Sequence, residues 1–97
     1  MTARTAMILK EIAKEFQISE EEALKQGLRV FLERRLREIQ MEILRITGRY
    51  GVSGVEEMEA RYRHGTLEES DSWQDLQRLD HLEYKRDRLQ KLLETLT

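Results

Sequence analysis

Hydrophobic residues recur along the chain at the three- and four-residue spacing that places side chains on one face of a helix. This spacing predicts a short amphipathic helix over residues 3–16, interrupted at Gln17 and Ile18. Ser19 and Glu22 then match the S-x-x-E capping box, in which each side chain satisfies the other residue's backbone amide. A second helix is therefore expected to begin at Glu20. The apolar face of the first helix consists of Met7, Ile8, Ile12 and Phe16.

The second predicted helix is long, because no strong stop signal follows until Gly48 or Gly51. A length of about 28 residues corresponds to roughly 42 Å. Its main apolar residues alternate by three and four, which is the pattern of a helix-packing seam. In a chain this small we expect a second copy to cover that seam, so a homo-oligomer is predicted. The predicted oligomer seam comprises Leu32, Leu36, Ile39, Ile43 and Ile46. Leu24 and Leu28 lie on a slightly rotated face, which indicates more than one neighbour.

Glycines and a second heptad pattern predict the remaining elements. The segment from Gly48 to Gly54 favours a sharp turn, and a short connecting helix is expected from there to His64. A last helix of about 25 residues, roughly 37 Å long, is expected from about Ser72. We therefore predict an all-α fold with a short N-terminal helix, one long amphipathic helix, a short connecting helix and a long C-terminal helix. These would form a helical hairpin or bundle in a single domain, residues 1–97.

Composition supports this fold class and limits the chemistry. The chain has no proline, five glycines and 37% charged residues, which favours helices over sheets. It has no cysteine, so neither disulfides nor thiolate metal sites are expected. The net charge of −2 is spread with mixed signs, and no segment is long and apolar enough for a membrane span. A cytoplasmic location and no membrane association are predicted.

The sequence offers no constellation of residues that a catalytic or metal site requires. His64 and His81 are the only histidines, and neither has further ligands at metal-binding spacing. The glycines from Gly48 to Gly54 lack the lysine and preceding strand of a phosphate-binding loop. We predict no enzyme activity, no cofactor and no metal.

One segment has the composition of a binding surface. The only tryptophan, Trp73, lies in an acidic stretch, and aromatic residues ringed by charge are typical of binding hot spots. The alternative is that Trp73 closes the base of the bundle. If the stretch binds a protein, an acidic aromatic surface suits a basic target. The predicted partner-binding residues, named here the acidic aromatic strip, are Glu68, Glu69, Asp71, Trp73, Asp75, Leu76 and Leu79.

Residues 18–36 add a resemblance to a known group of proteins. The capped start at Ser19 and the run A-L-K-Q-G-L-R-V-F-L-E-R-R-L, which ends at Leu36, resemble the helix of small prokaryotic antitoxins. The continuation through Tyr50 to Met58 and the acidic aromatic strip are also similar to such proteins. The resemblance implies a type II toxin-antitoxin module. In such a module the helical protein binds and neutralises a cognate toxin and, as a dimer, represses its own operon.

The N-terminus departs from one class of these antitoxins. Ribbon-helix-helix antitoxins begin with a strand that reads the major groove, and here only Thr2, Arg4 and Thr5 precede or open the first helix. Thr2 and Arg4 are therefore the candidate DNA contacts. Two alternatives to the antitoxin remain: a dimeric DNA-binding transcriptional regulator and a structural coiled-coil adaptor. The first predicts salt-dependent duplex binding, and the second predicts binding of neither duplex nor toxin.

Overall fold

A computed structural model of the protein describes residues 1–96, without the side chains of residues 69–71. The described residues form four α-helices joined by short connections and contain no strand. The predicted all-α fold and its order of short, long, short and long helices are confirmed. The helices are α1 (Ala3–Phe16), α2 (Glu20–Tyr50), α3 (Val55–Arg63) and α4 (Glu69–Leu96).

The helix boundaries follow from local side-chain chemistry. At the start of α2 the Ser19 hydroxyl accepts a hydrogen bond from the Glu22 amide at 2.9 Å, as the capping pattern predicts. The helix runs through Gly48 and ends at Gly51, whose φ of 63° is a left-handed conformation that glycine adopts without steric cost. Of the two predicted stops, Gly51 is therefore the one the chain uses.

Helices α2 and α4 pack against each other as an antiparallel hairpin. Arg78 of α4 donates two hydrogen bonds to the Glu42 carboxylate of α2, at 2.9 and 3.0 Å. One end of the hairpin, together with α3, encloses the hydrophobic core. Apolar burial of this kind supplies most of the stability of a helical protein. The core side chains are Ile43, Ile46, Val52, Val55, Met58, Leu76, Leu79 and Leu82.

Helix α3 is fastened at its N-terminus by acidic side chains. The Val55 amide donates to the Glu83 carboxylate of α4 at 3.1 Å. The amide and hydroxyl of Ser53 both donate to Glu57, at 2.8 and 2.7 Å. The S-x-x-E spacing of Ser53 and Glu56 predicts a second capping box. This prediction is wrong: α3 begins at Val55 with Gly54 as its cap, and Ser53 bonds to Glu57 instead.

The molecule is elongated, with extents of 61 × 24 × 17 Å and a radius of gyration of 19.6 Å. A compact chain of this length has a radius of gyration of about 13 Å. Helix α1 packs against α2, but its only buried residue is Ala13, and no core residue belongs to it. The N-terminal part of the chain therefore shares little of the core. Within the described residues, no helix combines the length and apolarity needed to cross a bilayer.

Candidate functional site

Trp73 lies where α3 meets the start of α4 and is fixed by its neighbours. Its ring meets the Tyr62 ring edge-on, with centroids 6.4 Å apart and planes at 61°. The Tyr62 hydroxyl shares a short hydrogen bond with the buried Ser72 hydroxyl, which also donates to the Glu68 carbonyl at 2.6 Å. We call Tyr62, Ser72 and Trp73, with the adjacent Glu68, the aromatic corner.

The aromatic corner holds Trp73 without burying it. Trp73 remains 47% exposed, and Glu68, whose carbonyl accepts the hydrogen bond from Ser72, is exposed. The hydroxyls of Tyr62 and Ser72 are already hydrogen-bonded within the chain. The corner therefore presents a partly exposed aromatic ring, and these two hydroxyls need not change their hydrogen bonds when the ring contacts another molecule.

The carboxylate of Asp75, a member of the acidic aromatic strip, makes its hydrogen bonds within the chain. Its carboxylate accepts hydrogen bonds from the Tyr50 hydroxyl at 2.5 Å and from Arg49 at 3.0 Å. The hydrogen bond to Asp75 favours the neutral phenol and, with some burial, raises the pKa of Tyr50. Because Arg49 also neutralises this carboxylate, Asp75 joins α4 to α2 and adds little acidic potential to the surface.

The other predicted residues of the acidic aromatic strip separate into buried residues, surface residues and residues whose side chains are not described. Leu79 is fully buried and Leu76 is 6% exposed, so both pack in the α2–α3–α4 core. A partner could reach these two leucines only if the core opened, which does not fit the contact role predicted for them. The side chains of Glu69 and Asp71 lie outside the described residues. Glu68 and Trp73 are therefore the members of the strip that the structure places on the surface.

Three residues of the predicted oligomer seam, Ile39, Ile43 and Ile46, pack in or against the core that α2 and α4 share. Ile43 and Ile46 are buried in the core, and Ile39 packs against it. Leu32 and Leu36 continue the same seam and are half-buried. The antiparallel hairpin thus covers a face that we expected a second copy to cover, because periodicity shows that a face is apolar and not which helix covers it.

The two candidate DNA contacts lie at the beginning of α1. The Thr2 hydroxyl caps the helix by accepting a hydrogen bond from the Thr5 amide at 3.2 Å. Arg4 lies in the first helical turn and is exposed. Neither residue belongs to a strand, so the two-stranded ribbon of ribbon-helix-helix antitoxins is not formed by the described residues of one chain.

A second surface was not identified as a site by sequence reasoning. Large apolar side chains of α1 and of the first part of α2 are 41–70% exposed, where apolar residues of amphipathic helices are normally covered. The available signals were the apolar spacing of α1 and the rotated face of α2 at Leu24 and Leu28. We call this set the exposed N-terminal apolar residues: Met7, Ile8, Ile12, Phe16, Leu24, Leu28, Val30 and Phe31.

Comparison with known proteins identifies the family of this chain. The chain belongs to the family described as the uncharacterized protein MJ0235 family, whose model matches residues 1–97. No curated protein and no solved structure matches the chain.

Proposed function

We propose that this member of the MJ0235 family is an antitoxin-like protein that binds and neutralises a cognate toxin through its aromatic corner. The observation that carries the proposal is Trp73, which is held in place by Tyr62 yet remains 47% exposed. A tryptophan that only closed a bundle would be covered by the helices around it. Exposed but ordered aromatic rings are the side chains that most often supply the binding energy of an interface.

The charge at the corner indicates the kind of toxin surface that would fit. Glu68, whose carbonyl bonds to Ser72 of the corner, is exposed, while Asp75 is paired with Arg49. The corner therefore combines one large ring with a small acidic area. A complementary surface has an apolar pocket for the indole, bordered by a basic side chain. Basic surfaces of this kind occur where a toxin contacts nucleic acid or nucleotide phosphates.

Hydrogen bonds that join the helices around the corner support the proposal. The Tyr62 and Ser72 hydroxyls fix the end of α3 against the start of α4, and Arg61 donates to the carbonyls of Tyr50 and Gly51 at 2.7 and 3.0 Å. These bonds hold the end of α2 to α3. A preformed surface loses less conformational entropy on association than a flexible one.

The first experiment co-expresses the chain with the product of the adjacent reading frame and measures binding and growth. We expect a stable complex that relieves growth arrest. Trp73→Ala should weaken the complex at least about 30-fold, which corresponds to the loss of a hot-spot residue of about 2 kcal/mol. Tyr84→Ala is the matched control, because Tyr84 lies on the same helix, is 70% exposed and is outside the corner.

Glu68→Lys tests the charge at the corner without disturbing the hairpin. The exposed Glu68 side chain makes no ion pair with a described residue, whereas a lysine at Asp75 would face Arg49 and disrupt the contact of α4 with α2. We expect Glu68→Lys to slow association, and the loss to depend on salt. Binding that is unchanged in both Trp73→Ala and Glu68→Lys would exclude the corner as the toxin site.

A structural adaptor is the second candidate, and the length of the molecule favours it. A helical rod of 61 Å can hold partners apart without any single hot spot. If the chain is an adaptor, it should relieve no growth arrest, and Trp73→Ala should leave its binding to partners unchanged. Strong duplex binding that falls steeply with salt would instead identify a DNA-binding regulator.

A further inference from the structure

A half-open cleft runs between α2 and α4 along one side of the hairpin. Its volume of about 490 Å³ falls within the roughly 300–1,000 Å³ of sites that bind small molecules, which often lie between the helices of a bundle. Its lining residues span Phe31 to Glu42 on α2 and Arg78 to Leu89 on α4. Either span corresponds to about 16 Å of helix. The cleft is therefore long enough for a linear ligand of small-molecule size.

The lining residues of each helix share one face. On α4 the lining residues Arg78, His81, Lys85 and Leu89 follow one another at intervals of three or four residues. The lining residues of α2 recur at the same intervals. Two hydrogen bonds from Arg78 to Glu42 join the two faces at one end of the cleft. The cleft is therefore a single surface that two packed helices form together.

Four apolar side chains line the cleft between its charged residues. Leu82 is 3% exposed, Ile39 packs against the core, and Leu89 is half-buried. Phe31 is 54% exposed, and the Arg35 guanidinium carbon lies 5.4 Å from the centroid of its ring. Sites for small molecules are lined mainly by apolar side chains with a few polar groups that fix the ligand. This lining suits a ligand with an apolar body.

The two carboxylates that line the cleft are already paired with arginines. Glu42 accepts both hydrogen bonds from Arg78 and also lies 3.7 Å from Arg45. Glu38 accepts a hydrogen bond from Arg35 at 3.4 Å. A cationic ligand would have to compete with these three arginines for either carboxylate.

His81 and Lys85 supply hydrogen-bond donors that are not in use. Neither side chain makes a hydrogen bond or an ion pair with a described residue, and both are exposed. They lie four residues apart on α4, which makes their side chains neighbours on the helix surface. A lysine side chain donates hydrogen bonds and accepts none, and a histidine ring carries at least one N–H. An anion at this position would gain charge-assisted hydrogen bonds without displacing an existing contact.

A second cavity between the same helices lacks this combination. It has a volume of about 570 Å³, and its arginine, Arg86, is paired with Asp87 at 3.0 Å. No lysine or histidine among the described residues lines it. The unused donors therefore distinguish the cleft between Phe31 and Leu89.

We propose that this cleft binds a small anionic amphiphile, a carboxylic acid with a linear apolar chain. The carboxylate contacts His81 and Lys85, and the chain lies toward Leu89 and Phe31 at the end of the cleft away from Arg78. This site goes beyond the proposed toxin binding, and no residue of the aromatic corner lines it. The chain alone is sufficient for the test, so failure of either proposal leaves the other standing.

Titration of the isotope-labelled full chain with laurate, followed by NMR, is the direct test. We expect the amide signals of the cleft residues to shift and binding to saturate below about 1 mM laurate. Dodecylamine, which has the same chain length and a cationic head, should bind at least about tenfold more weakly. Three results would each overturn the proposal: no saturation, equal affinity for the two probes, or shifts centred on α1.

Lys85→Glu tests the contact with the carboxylate. Because Lys85 is exposed and has no partner among the described residues, the variant should fold like the wild type, which circular dichroism would check. We expect the dissociation constant of laurate to rise at least about tenfold. Lys91→Glu is the matched control, since Lys91 is an exposed lysine of α4 outside the cleft. Equal laurate affinity in the two variants would overturn the placement of the carboxylate.

Phe31→Ala tests the contact with the apolar chain. Removing this half-exposed ring should raise the dissociation constant of laurate at least about fivefold, because less apolar surface is covered on binding. Met41→Ala is the matched control, since Met41 is 67% exposed on α2 and lies outside the cleft. If both variants bound laurate as the wild type does, the chain would not lie on Phe31 and the proposed orientation would be wrong.

Discussion

The carboxylate of Asp75 has two neighbours on α2, and these determine its role. Tyr50 donates a hydrogen bond to it at 2.5 Å and Arg49 at 3.0 Å. Both donors come from the last turn of α2, so this one side chain fixes the end of α2 against α4. An acidic residue that sequence composition assigned to a binding strip therefore stabilises the hairpin.

This arrangement predicts that the folded state becomes less stable at alkaline pH. The pKa of Tyr50 is raised above its usual 10.0 mainly by the Asp75 hydrogen bond, because ionisation would place two negative groups together. A raised pKa means that the folded state binds the proton more tightly. The resulting stability is fully present below about pH 10 and is lost as pH rises through the folded-state pKa.

Tyr50→Phe should remove this pH dependence. Urea unfolding of the wild type and the variant between about pH 8 and pH 11 would measure it, and the stability difference should shrink above pH 10. Tyr84→Phe is the control, because Tyr84 is 70% exposed and makes no hydrogen bond with a described residue. A difference between wild type and Tyr50→Phe that stayed constant over this range would contradict the role assigned to the bond.

At the scale of elements, α3 depends on a carboxylate from another helix. The Glu83 side chain accepts a hydrogen bond from the Val55 amide and faces the positive end of the α3 dipole. A Cβ at Gly54 would lie 2.7 Å from the same carboxylate oxygen, so the absence of a side chain at Gly54 permits this contact. The position of α3 then sets the position of Tyr62 in the aromatic corner.

Removing this contact should loosen α3 and disturb the corner. We expect Glu83→Ala to lower the free energy of unfolding by about 1 kcal/mol, the usual effect of losing a helix cap. Gly54→Ala should have a similar effect because it displaces the Glu83 carboxylate. Trp73 fluorescence would report the change at the corner, and Asp80→Ala, an exposed acidic site on α4, should leave it unchanged. A corner unaffected by Glu83→Ala would contradict the role assigned to this contact and mean that the other contacts of α3 hold it in place.

The sequence was sufficient to predict the elements but not how they pair. Hydrophobic spacing places the four helices correctly, because each helix needs an apolar face whatever covers it. It could not show that the seam at Ile39, Ile43 and Ile46 faces α4, since a heptad seam fits a neighbour from the same chain or from another chain.

The candidate site was predictable only in part, because a sequence pattern does not show whether a residue is covered by another helix of the chain. Trp73 stood out because it is unique and lies in an acidic stretch, and the structure places it at the surface. Leu76 and Leu79 were grouped with it by proximity in sequence, although their spacing continues the buried seam of α4.

At the scale of the whole molecule, two candidate surfaces lie toward opposite ends of the long α2 helix. Leu24 and the end of α2 at Tyr50 are 26 residues apart, or about 39 Å along a helix. Asp75 contacts Tyr50, so the aromatic corner lies at the far end from the exposed N-terminal apolar residues.

The most direct test of this account is the mass and composition of the complex formed with the product of the adjacent reading frame. We predict a stable complex of this chain with that product, from which Trp73→Ala releases the toxin. A complex whose toxin content is unchanged by Trp73→Ala and by Glu68→Lys would contradict the claim that the aromatic corner binds and neutralises a toxin.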